Sequence, residues 1–214
     1  MKTELRISAG SVSLDGALTV PDQMSSVVLF AHGSGSSRHS PRNQFVARVL
    51  NQAGLATLLF DLLTPEEEAE DMDTARYRFN IDLLAERLVY ATRWILEQKQ
   101  TSHLPIGYFG ASTGGGAALV AAAERPRDVN AVVSRGGRPD LAGDLLSRVQ
   151  APTLLIVGGR DEVVIELNQQ AQRKMCCEVK LEIVPGATHL FEEPGALDRV
   201  AKLASNWFLQ HAQG

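Results

Sequence analysis

The segment Gly110-Ala111-Ser112-Thr113-Gly114 fits the pattern G-x-S-x-G, in which a serine on a tight strand-to-helix turn is held clear of its surroundings. A serine hydroxyl is a weak nucleophile until a base takes its proton, and the base must itself be oriented by a third group. Five histidines are available. His189, in Pro185-Gly186-Ala187-Thr188-His189-Leu190-Phe191, directly follows an apolar run and is the candidate base. His103 and His211 lie in polar segments, His39 lies in a loop, and His32 heads a small-residue loop where a structural role is expected. Asp161, just past the run Thr153–Val157, is the candidate orienting acid, with Asp140 and Asp144 as fallbacks. An aspartate after a strand is also a common helix N-cap. What singles out Asp161 is that serine, acid and histidine come in that order, each just beyond a strand.

Such a set supports attack on a carbonyl through an acyl-enzyme. Gly110, Gly114, Gly115 and Gly116, then Ala117 and Ala118, let a helix lie close to the strands. The Thr113 amide would then point at the developing oxyanion from the positive end of that helix. The Ser34 amide, in His32-Gly33-Ser34-Gly35, is the candidate second donor. A phosphate-binding loop would need the lysine of a P-loop, which is missing here. Arg38, Arg135, Arg138 and Arg160 also follow strands, and arginine suits carboxylate or phosphate recognition. Arg38, Arg135 and Arg138 are therefore candidate substrate-binding residues for an ester bearing an anionic group, unless neighbouring acids occupy them.

These residues need an alternation of buried strands and helices to position them. Two short strands, around Arg6–Val12 and Gly16–Pro21, are expected to turn at Asp15-Gly16. Ser26–Ala31, Ala56–Phe60, Ile106–Phe109, Ala131–Val133, Thr153–Val157 and Val179–Val184 read as further strands. Helices are expected from Ser40-Pro41 to Gly54, over Thr74–Gln98, Thr113–Glu124, Leu141–Val149, Ile165–Lys174 and Ala196–Gln210. The acidic stretch Thr64–Asp73 reads as a solvated loop. The pattern predicts an α/β domain with a mostly parallel sheet covered on both faces.

The 214 residues fit one domain, 1–214. With 44% hydrophobic and 21% charged residues the chain is ordinary globular material, and a net charge of −4 does not favour nucleic acid or an anionic membrane as partner. No apolar run approaches the roughly 18 residues needed to span a bilayer. The first ten residues, MKTELRISAG, lack a signal-peptide core, and the adjacent Cys176 and Cys177 make no disulfide framework. A cytoplasmic monomer or homodimer is expected.

The N-terminal hairpin, HGSGSS, GASTGG, APTLLIVGGRDEVV and VPGATHLF resemble the α/β-hydrolase superfamily, and within it the small dienelactone-hydrolase-like group, over nearly the whole chain. The resemblance implies the α/β-hydrolase fold with an eight-stranded, mostly parallel sheet and neither metal nor organic cofactor. Dienelactone hydrolases of that group carry cysteine at the nucleophile, whereas this chain has Ser112, which directs the expectation to a carboxylic ester or thioester of a small molecule. No long insertion follows Ala131–Val133, so no large cap domain is expected. Acyl transfer to an acceptor other than water, and a non-catalytic interaction module on the same fold, are the alternative readings.

Overall fold

The computed structural model describes residues 1–212. The expected single domain, 1–214, therefore includes two positions outside the described residues. Eight strands form one sheet: β1 (Lys2–Ala9), β2 (Val12–Thr19), β3 (Ser26–Ala31), β4 (Leu55–Phe60), β5 (Ile106–Ala111), β6 (Val129–Arg135), β7 (Thr153–Gly158) and β8 (Val179–Val184). Their order is β1-β2-β4-β3-β5-β6-β7-β8. The β1–β2 and β2–β4 pairings are antiparallel, and the others are parallel. Every residue of β3, β4, β5 and β7 is buried. That is why these strands read as continuous apolar runs rather than as an alternation.

Among the described residues, six α-helices accompany the sheet: α1 (Pro41–Gln52), α2 (Pro65–Thr74), α3 (Ile81–Glu97), α4 (Thr113–Glu124), α5 (Glu162–Lys174) and α6 (Ala196–Gln210). On one face, α1 and α6 bury Val46, Leu50, Val200 and Phe208 against Phe30, Phe109, Val133 and Ile156. On the other, α3 and α4 pack Leu84, Leu88, Ile95, Leu119 and Ala122 against Leu29, Tyr108 and Val132. Each fully buried side chain of this size contributes roughly 1.5–3 kcal/mol, so either face is a core in its own right.

Four expectations change. The hairpin turns at Gly10-Ser11, not at Asp15-Gly16. Ala9 pairs with Val12 and the buried Ile7 with the buried Leu14, and Gly10, at φ 66°, takes the first turn position where a positive φ is needed. The acidic stretch is helix α2. Thr64 and Glu67 form a reciprocal capping box, proline fills the first turn, and three glutamates sit at the favourable helix end. The long helix expected over Thr74–Gln98 starts later, at Ile81: α2 closes with Ala75 in a left-handed conformation, and α3 opens on the Asn80 cap. Instead of a helix over Leu141–Val149 there is a 3₁₀ segment, Pro139–Arg148, broken at Gly143. Between β6 and β7 the chain makes only this segment and its flanking turns, so no cap domain is inserted there. No helix among the described residues is long and apolar enough to cross a membrane.

Candidate active site

β5 ends at Ala111 and α4 begins at Thr113, so Ser112 makes the turn alone, with φ 53° and ψ −122°. A non-glycine residue held there stores on the order of 1–3 kcal/mol and persists only where its surroundings fix it. The fixing bonds are visible. Ser112 N–H donates to the Arg135 carbonyl (3.2 Å), and the Ser112 carbonyl accepts from Gly115 (2.9 Å) and Arg138 (3.0 Å). The first turn of α4 is pressed onto the end of β3. A Cβ at position 114 would stand 2.5 Å from the His32 carbonyl oxygen and closer still to that of Ala31, so only glycine fits.

The structure brings Ser112, His189 and Asp161 together. His189 Nδ1 lies 2.6 Å from Asp161 Oδ2, and His189 Nε2 lies 3.4 Å from Ser112 Oγ. A carboxylate only accepts, so Nδ1 carries the proton and Nε2 presents its lone pair to the serine. The second distance is at the loose end of the range from which such a set tightens as the hydroxyl attacks. Arg160 N–H donates to the Ala187 carbonyl (2.9 Å), joining the acid's loop to the histidine's. Thr188 N–H donates to the Glu193 carboxylate (3.0 Å), and the buried Phe191 anchors the turn behind His189.

The remaining predicted residues divide. Thr113 opens α4 beside the nucleophile. Ser34 N–H is not free: it donates to Thr113 Oγ1 at 3.0 Å, and the two hydroxyls are also 3.0 Å apart. Arg38 is taken up by Asp61, which accepts both its guanidinium and its backbone N–H. Arg138 makes a two-pronged pair with Asp140, at 2.8 and 2.7 Å. Both arginines depart from their expected substrate-binding role, because an acid within reach holds each: Asp140 matches the fork of Arg138, and Asp61 takes Nη1 of Arg38 and leaves its Nε without a partner. Arg135 differs. It is 7% exposed, its guanidinium lies 5.8 Å from the Phe191 ring centre, and Nε and Nη1 are buried without a hydrogen-bond partner. Burial, with Arg42 nearby, pushes its pKa down to about 10.

His32 is structural, as expected: Nδ1 meets the Gly33 carbonyl (3.0 Å), and Nε2 accepts from Leu62 N–H (3.0 Å). Burial holds its pKa below the usual histidine value. Sequence reasoning missed Asp71 and Arg78. The buried Asp71 carboxylate accepts from the Tyr77 amide (2.6 Å), the Arg78 amide (2.9 Å) and Arg78 Nε (2.7 Å). Burial opposes its charge, but these donors outweigh burial and hold the carboxyl below its usual range. Arg78 in turn offers its carbonyl to the Ser34 hydroxyl (3.2 Å), tying the α2–α3 connection to the loop beside the nucleophile. The only sequence signal was the Thr64–Glu67 capping pattern.

With this geometry in place, the likeness to known proteins is specific. The family model described as an alpha/beta hydrolase domain matches residues 24–207. The chain belongs to the α/β-hydrolase family, in its dienelactone-hydrolase-like group. A crystal structure of a dienelactone hydrolase from Anabaena variabilis is 60% identical, with TM-score 0.97 over 99% of this chain and 98% of that one. Est1E from Butyrivibrio proteoclasticus shares the fold at 16% identity, with TM-score 0.82 over 99% of both chains. Two strains of Mycobacterium tuberculosis carry a protein 62% identical over 211 residues, provisionally named a phosphoribosyl transferase. This match takes in 99% of the present chain but 47% of theirs, so the chain spans about half the length of these curated relatives.

Proposed function

We propose that the protein is a serine hydrolase that cleaves a carboxylic ester or thioester of a small molecule through an acyl-enzyme. The observation that carries this reading is Ser112, strained at the strand–helix turn, in line with His189 and Asp161. His189 takes the Ser112 proton as Oγ attacks the carbonyl carbon, and Asp161 stabilises the imidazolium. The proton then passes to the leaving alkoxide or thiolate. Water attacks the acyl-enzyme with His189 again as base. The Thr113 amide receives the oxyanion. The Ser34 amide joins it by exchanging the neutral Thr113 hydroxyl for a charged acceptor, and charge-assisted hydrogen bonds are the stronger kind. We assign the transferase named for the M. tuberculosis relatives to the part of those proteins that this chain does not match.

The test is intact mass after treatment with a fluorophosphonate, on wild type and Ser112→Ala. One adduct on wild type and none on the variant is the expected result. A folded wild type that takes no adduct would favour the non-catalytic module. Products formed in the presence of added alcohols or amines separate hydrolysis from acyl transfer.

The proposal of an anionic substrate narrows to Arg135, which has no acid partner, whereas Asp61 and Asp140 hold Arg38 and Arg138. β6 lies on the opposite side of β5 from β3, so an anion at Arg135 belongs to the leaving alcohol. Acetate esters of a carboxyphenol and of a neutral phenol then differ in kcat/KM. Arg135→Met should reduce that preference by about tenfold or more, the usual worth of a hydrogen bond to a charged group. Equal preference in both proteins rejects the anion.

A further inference from the structure

A cavity of about 120 Å³ lies behind the loop His32–Ser37, between that loop, the end of β4 and helix α2. Its lining reaches the loop packed against the nucleophile's turn but does not include Ser112 itself. Gly33 lines it, and a Cβ on Gly33 would stand 3.1 Å from Ser112 Cβ. Ser34, whose amide reaches Thr113, lines it as well. Leu62, Leu63, Met72 and Leu84 supply its apolar surface.

Most charged groups of its wall are already paired. Asp61 is occupied by Arg38, and Asp71 by Arg78. Both ring nitrogens of His32 are engaged, and burial favours its neutral form. Glu68 adds a negative charge. An anion would find no free cation in this wall, and burying an unpaired charge is costly. The wall is also fixed rather than a loose flap. Glu67 of α2 receives Arg87 Nη2 (2.8 Å) and Thr64 N–H (2.8 Å), and Arg87 Nη1 donates to the Ala9 carbonyl (3.1 Å). A built cavity of this size has room for several groups of water or methylene size.

We propose that this cavity receives the acyl part of the substrate, and that the acyl group is short and uncharged. The inference rests on the acyl-enzyme reading and adds to it a substrate class and its determinants, Leu63 and Met72. The acyl group bonded to Ser112 Oγ lies on the β3 side of the nucleophile, and the leaving alcohol departs on the β6 side.

The experiment measures kcat/KM for p-nitrophenyl acetate, butanoate and octanoate and for the p-nitrophenyl monoester of succinate. The proteins are wild type, Leu63→Trp, Met72→Trp and Ser112→Ala. Each methylene that enters an apolar cavity is worth about fourfold, so butanoate should exceed acetate by about 15-fold in wild type. Octanoate overfills the cavity and falls below butanoate. Succinate, with its carboxylate, falls further. Both tryptophan variants should lose the preference for butanoate over acetate. Met72 is 72% exposed, so its replacement leaves the core intact. A butanoate-to-acetate ratio unchanged in both tryptophan variants, or succinate matching butanoate, overturns the cavity assignment even if acetate hydrolysis depends on Ser112. Wild type without Ser112-dependent acetate hydrolysis overturns the acyl-enzyme reading and this inference with it.

Discussion

Ser112→Ala is expected to lower kcat for ester hydrolysis by roughly 10⁴–10⁶-fold with little change in KM, and His189→Gln to do nearly the same. On the acyl-enzyme reading, alanine removes the atom that forms the acyl bond. Glutamine removes the lone pair that takes the proton. The two changes together should cost little more than either alone, because groups that act as one unit are strongly non-additive. Stability should scarcely move. The Ser112 side chain makes one long contact, at 3.4 Å, and the turn is held by backbone bonds that alanine keeps. Steady-state kinetics with a thermal melt on each variant checks this. A Ser112→Ala protein with wild-type melting and more than about 1% of the wild-type kcat would rule out the nucleophile, since even a modest triad exceeds that margin.

The parts of this site that could be read in the sequence are those set by local geometry. A parallel strand buried on both faces is a continuous apolar run, so Ser26–Ala31 and Thr153–Val157 were readable as strands, as was the strand–turn–helix around Ser112. Catalytic candidates on such a sheet fall just past strand ends, which puts Asp161 and His189 in view although 28 residues separate them. Contacts between segments were not readable. Whether an arginine faces solvent or an acid depends on packing: Arg38 meets Asp61, 23 residues on, while Arg135, of the same residue type at another strand end, meets the face of Phe191. Ser34 and Thr113, 79 residues apart, meet only because β3 and β5 are neighbours. α2 does not read as a helix for a different reason. Its glutamates suggest solvation, yet in a first turn behind a threonine cap they favour the helix. Glu67 and Asp71 then find their arginines from α3 and from the connection before it.

Asp161 separates two roles that share one position. It precedes α5, where an aspartate would ordinarily accept an amide hydrogen bond from the first helical turn, but here the side chain makes no such cap bond. Its Oδ2 faces His189 Nδ1 instead, at 2.6 Å. Asp161→Asn keeps the shape and changes the proton. An amide NH₂ directed at Nδ1 leaves the histidine proton on Nε2, where it faces Ser112 Oγ, and the imidazole can no longer act as base. A loss of about 10⁴-fold in kcat follows from that reversed tautomer. Labelling by a fluorophosphonate should slow by a similar factor without vanishing, because the serine remains, and this distinguishes the variant from Ser112→Ala. The melting temperature should hold. If Asp161 were only a helix cap, asparagine would cap α5 about as well, and both the melting temperature and kcat would stay near wild type. A folded Asp161→Asn protein with near-normal turnover would therefore remove Asp161 from the triad and return attention to Asp140 and Asp144. Asp140 is already committed to Arg138. Asp144 lies in the 3₁₀ segment, one residue beyond the break at Gly143.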